Sequence, residues 1–95
     1  MFGLITKLTA VPGRRDALAL SLLDPEVKRP GCCSYVVALD PAEEHAVWVT
    51  EAWVSQDAHT AALTPDARER LRPALDLIAV FGETTYTRPI GGIGL

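Results

Sequence analysis

The stretch "AVWVTEAW", Ala46–Trp53, sets the strongest constraint on how this chain can fold. Its composition is that of a strand, and in a strand alternate side chains point to opposite faces. Val47, Val49, Glu51 and Trp53 then share one face, and Trp48, Thr50 and Ala52 the other. The preceding stretch "CSYVVALD", Cys33–Asp40, has the same character, with Tyr35, Val37 and Leu39 set against Val36 and Ala38. Strands apolar on both faces need cover on both. A chain of 95 residues is one domain, spanning 1–95, with a thin core. It can place helices on one side of such a sheet. A second copy of the chain is the simplest cover for the other, so a homodimer is expected.

The rest of the chain fits around this pair. "FGLITKLT", residues 2–9, reads as a first strand, broken by "AVPG". Arg14 to about Leu23 carries leucines and alanines at helical spacing, and Asp24–Pro25 ends that helix. "KRPGC" is a loop, and "PAEEH", Pro41–His45, is a polar hairpin connection between the two central strands. After Trp53, Ser55 suits an N-cap with Asp57 in the first turn, giving a short helix to about Leu63. Thr64 caps a restart with Pro65 at its first position, and Pro73 predicts a kink or a fresh start. "ALDLIAVF" is read as continuing that helix, "ETTYTRP" as the fourth strand, and "IGGIGL" as a glycine-punctuated tail. The order β-α-β-β-α-β predicts an α+β, ferredoxin-like split sandwich with an antiparallel sheet.

Several function classes are disfavoured. The net charge is −3, and the lysines and arginines are scattered, with Arg14–Arg15 and Arg68–Arg70–Arg72 as groupings. No phosphate-tracking stripe is present, so nucleic acid is not an expected partner. No apolar run approaches the length of a membrane span. "MFGLITKL" lacks the charged start and small-residue cleavage site of a signal peptide. The adjacent pair Cys32–Cys33 reads as two small residues entering a strand, without metal-ligand spacing, and points to a reducing, cytoplasmic setting. Gly91, Gly92 and Gly94 are followed by no helix and so do not make a phosphate loop.

Three segments together resemble a known family. "PGCCSYVVALDP", "VWVTEAWVSQDAHTAAL" and "ETTYTRPIGGIGL" are similar to the antibiotic biosynthesis monooxygenases, also called quinol-monooxygenase-like proteins. The strongest elements are Glu51 and Trp53 as E-x-W at a strand end, then Ser55–His59 as S-x-x-A-H. The resemblance implies a dimeric α+β barrel with a pocket between sheet and helices in each subunit. It implies oxygenation of anthrones, quinols or related phenols by O2 with no metal, flavin or haem cofactor. Many family members carry a histidine three residues later, where this chain has Ala62, so His59 holds the imidazole here.

The candidate residues cluster around the end of the third strand. Trp53 is a core aromatic or a stacking wall for a flat ring. Glu51 shares its face, where a carboxylate needs an ion-pair partner such as Arg88 or Lys7, or else serves to move a proton. His59, in the first turn of a helix, is a candidate base, since the dipole disfavours imidazolium. Tyr35, Tyr86 and Thr6 lie on strands and can hydrogen-bond a substrate oxygen. Trp48 has the opposite parity and is expected at the subunit interface; His45 is expected to be solvated. The assignment is a cofactor-free monooxygenase with His59 and Glu51 catalytic and Trp53, Tyr35, Tyr86 and Thr6 binding substrate. Two alternatives stand beside it. One is a non-catalytic dimer that binds a small ligand. The other, less favoured, is a haem-binding or haem-degrading protein, since a sister branch of the fold looks to use an asparagine where this chain has Thr6.

Overall fold

The computed structural model describes residues 1–95. The elements in order are β1 Phe2–Ala10, α1 Arg15–Leu22, β2 Cys32–Leu39, β3 Ala46–Trp53, α2 Gln56–Ala62, α3 Pro65–Asp76 and β4 Ile78–Thr87. The strands form one antiparallel sheet in the order β2-β3-β1-β4. This is the ferredoxin-like arrangement, with the second crossover helix divided into α2 and α3.

Local chemistry explains most boundaries. The Ser55 hydroxyl accepts the Ala58 N–H at 3.0 Å, and the Thr64 hydroxyl accepts the Ala67 N–H at 3.1 Å. Each cap satisfies a helix donor that has no partner within its own helix. Pro65 sits in the first turn of α3, where its missing N–H is harmless.

Three expectations need correction. Ile78–Phe81 does not continue the helix but opens β4, pairing with β1 through Ala10↔Ile78, Thr9↔Val80 and Leu8↔Phe81. The run "ALDLIAVF" fits either period, and the free edge of β1 captures its β-branched and aromatic half. Of the two outcomes expected at Pro73, a kink or a fresh start, the fresh start does not occur, since Pro73 lies inside the single helix α3. Of the leucines and alanines at helical spacing in the first helix, α1 buries only Leu18 and Leu22, leaving Leu20 71% and Leu23 48% exposed.

All three helices lie on one face. Leu8, Leu18, Leu22, Val47, Val49 and Ala74 pack there as the main core, and a smaller cluster joins Leu4, Trp53 and Ala62. Only 15 of 95 residues are buried, so most of the stabilising apolar burial sits in this one layer. The opposite face carries Ile5, Trp48, Val36 and Val80, and the last two are 51% and 57% exposed.

Candidate active site

The antiparallel register fixes which side chains can meet. Glu51 lies between Leu4 and Tyr35, and Val49 lies between Thr6 and Val37, all on the helix-covered face. Trp53 ends the same row. Only Val54 and Ser55 separate it from α2, so the helix returns at once over the strand that delivers it. His59 and Ala62, one helical turn apart, therefore point toward the same space.

That space is a chamber of about 140 Å³ lined by Tyr35, Glu51, Trp53, His59, Arg29 and Leu71 among others. Two further hollows share its walls. Toward the middle of the sheet a hollow of about 180 Å³ shares Tyr35, Glu51 and Leu71 with it and includes Thr6 and Phe81. Outward, past Lys28, Ala62 and Ala67, lies a wider vestibule of about 470 Å³ between the 28–31 loop and the α2–α3 junction. The vestibule is the largest hollow, yet it has no aromatic or imidazole group. Small-molecule sites usually span roughly 300–1,000 Å³, so the chamber reaches that size only together with an adjoining hollow. Gly31 shapes the mouth. Its φ is +85°, and a Cβ there would stand 2.9 Å from the Ala58 methyl.

The groups inside are held to different degrees. Trp53 is 2% exposed, and its indole N–H donates to Glu51 Oε1 at 3.0 Å. The His59 ring meets the Trp53 ring edge-on at 5.2 Å and lies 5.7 Å from Phe2. Its nitrogens make no hydrogen bond within the chain. Tyr35 is half-buried, and burial raises its phenol above the usual range, with Glu51 adding to the effect and Arg29 opposing it. Burial likewise raises the Cys32 thiol, whose Sγ lies 3.3 Å from the Ser34 carbonyl. No three His, Cys, Asp or Glu side chains converge as a metal site.

Most of the candidates read from the sequence meet here. Glu51, Trp53, His59 and Tyr35 line the chamber, and Thr6 lines the adjoining hollow with its hydroxyl 3.2 Å from that of Thr84. Tyr86 does not join them; it is 66% exposed and packs on Phe2 at the sheet edge. The ion pair anticipated for Glu51 is absent. Lys7 lies on the other face, where it pairs with Glu43 and sits over Trp48, and Arg88 forms no ion pair. His45 is half-buried rather than freely solvated, beside Arg15 and Asp16. Sequence reasoning missed Lys28 and Arg29. Two adjacent cations next to the buried Val27 were the available signal, hidden because the segment lies in an irregular loop.

Comparison with known proteins agrees with this architecture. The antibiotic biosynthesis monooxygenase family matches residues 1–73, and the chain belongs to that family. Among solved structures, a proposed antibiotic biosynthesis monooxygenase from Chloroflexus aurantiacus J-10-fl is 43% identical, with a TM-score of 0.88 over 96% of this chain and 94% of that one. A protein so described from Deinococcus radiodurans shares the fold at 20% identity, with a TM-score of 0.74 over 97% and 95% of the two chains. One from Nitrosomonas europaea shares it at 12%, with a TM-score of 0.78 over 96% and 100%. No curated protein matches the sequence. Family membership and the 43% identical neighbour together support a monooxygenase-type function.

Proposed function

We propose that the chain is a cofactor-independent monooxygenase acting on a quinol- or anthrone-like aromatic. The observation that carries this reading is the convergence of Glu51, Trp53, His59 and Tyr35 on one chamber between sheet and helices. Dioxygen has a triplet ground state and reacts slowly with closed-shell molecules, but an electron-rich carbanion or phenolate can give it an electron. His59 takes the proton that creates such an anion. Glu51, steadied by the Trp53 indole through one oxygen, has the other free to relay that proton. Tyr35 and Thr6 donate to the developing oxyanion, and Trp53 forms the inner wall. For an anthrone the methylene becomes a carbonyl. One oxygen atom stays in the product, and the other leaves as water with the two hydrogens.

The assembly proposed is a homodimer closed over the open sheet face. Exposed Val36 and Val80 and half-buried Ile5 and Trp48 give that face an apolar surface that a second sheet can cover. The free cysteines Cys32 and Cys33 suit a cytoplasmic setting.

A second reading, a dimer that binds an aromatic ligand without chemistry, has one observation in its favour. No hydrogen bond fixes which His59 nitrogen carries the proton, whereas bases are usually oriented by a third group. Oxygen uptake by the metal-stripped protein against anthrones, quinols and naphthols separates the two. Uptake that disappears in His59→Ala supports the oxygenase. Saturable binding without uptake leaves the binding protein.

A further inference from the structure

We propose that the cavity selects aromatic ligands bearing a carboxylate, with Arg29 as the group that recognises it and Lys28 as a second cation at the mouth. The proposal rests on the reading of the chamber as a ligand site. It adds the substrate class, a hydroxyaryl carboxylic acid.

Arg29 lies in the loop between α1 and β2 and lines the inner chamber beside Glu51 and His59. Its plane is fixed from two sides. Nη2 donates to the Leu22 carbonyl at 3.1 Å and Nη1 to the Val27 carbonyl at 3.4 Å. The guanidinium carbon stands 4.0 Å from the centre of the Tyr35 ring. These bonds engage two of the five N–H donors of a guanidinium. No carboxylate comes within ion-pair distance, although Arg29 is half-buried. A cation desolvated without a counter-ion is costly and leaves a positive potential directed at the cavity.

The neighbouring carboxylates do not cancel it. Glu51 lies in the same chamber but spends one oxygen on the Trp53 indole and forms no ion pair with Arg29. Asp66, in the vestibule, pairs with Arg70 at 3.3 Å and leaves Lys28 without a carboxylate. The chain as a whole is negative, at −3, so two adjacent cations at this cavity, neither in an ion pair, run against its overall balance. A planar acid entering past Lys28 sets its carboxylate against the Arg29 fork and its hydroxyl toward His59 and Glu51.

The test is calorimetric titration with 3-hydroxy-2-naphthoate, its methyl ester and 2-naphthol, at low salt and pH 7.5. The wild-type protein should bind the acid at least about tenfold tighter than the ester, the scale of a charge-assisted hydrogen-bonded pair. In Arg29→Gln the two affinities should converge to within about twofold, and Arg29→Lys should fall between, because an ammonium cannot form the bidentate fork. A purely structural Arg29, capping the end of α1, would change the melting temperature and leave the acid-to-ester ratio intact, which overturns the proposal. Equal wild-type affinities for acid and ester overturn it too while leaving the chamber a ligand site. Failure of all three compounds to bind overturns both readings. If Arg29→Gln does not fold, the wild-type ratio and Arg29→Lys decide the outcome.

Discussion

Strand β3 carries two tryptophans, and each gives its indole proton to a carboxylate. Trp48 Nε1 donates to Asp40 Oδ2 at 2.8 Å; Trp53 Nε1 donates to Glu51 Oε1 at 3.0 Å. The two pairs lie at opposite ends and on opposite faces of the same strand, and their surroundings differ. Asp40 Oδ1 also accepts the N–H groups of Ala42 and Glu43, both at 2.8 Å, so the carboxylate is consumed in tying the β2–β3 turn together. These bonds, the Trp48 bond first, lower its pKa to about 2. Glu51 has the single indole bond, and its other oxygen faces a cavity. The same pairing thus serves as a clamp where both carboxylate oxygens are engaged, and leaves one oxygen without a hydrogen bond at Glu51.

The sharpest way to break this comparison is to remove the rings. Trp53→Ala should destabilise the protein by about 3–5 kcal/mol, the usual range for a large buried aromatic. Trp48→Ala, only half-buried, should cost less than about 2 kcal/mol in the isolated chain. Urea denaturation measures both, and equal losses would erase the distinction. Next in size is activity. His59→Ala should lower kcat on an oxidised substrate by about 10²–10⁴-fold with little change in melting temperature. Asp40→Asn should do the reverse, lowering the melting temperature while leaving turnover within about threefold of wild type, as surface changes remote from the chemistry do.

The smallest effect expected is the acid limb of stability. The Asp40 carboxyl titrates at about 2 in the folded chain against 3.8 ordinarily, so its folded form favours the anion. Its contribution is complete above about pH 4 and is lost as pH falls from there toward 2. Melting temperatures across that window should decline in the wild type, and Asp40→Asn should lack that component. Parallel curves would mean that the turn does not depend on the charge.

The two carboxylates also mark how far sequence could be read. β3 was legible to the residue, because its aromatic and β-branched run is bounded by a polar turn and the Ser55 cap. The association of Glu51, Trp53 and His59 followed, since two come from one strand face and the third from the helix that succeeds it directly. Tyr86 was a different matter. Its parity places it on the right face, but β4 is an edge strand and the ring ends 66% exposed. The start of β4 was hidden because "LIAVF" satisfies a helix and a strand equally.

The sequence by itself therefore determined the element order, the caps, the face on which each β3 residue lies and the apolar character of both faces of the sheet. These are local properties of alternation, spacing and backbone donors. The tertiary structure decided the partners. It sent Lys7 to Glu43 rather than Glu51 and gave Ile78–Phe81 to the edge of β1. Such pairings depend on which surfaces meet when the layers pack, and no short window of sequence encodes that.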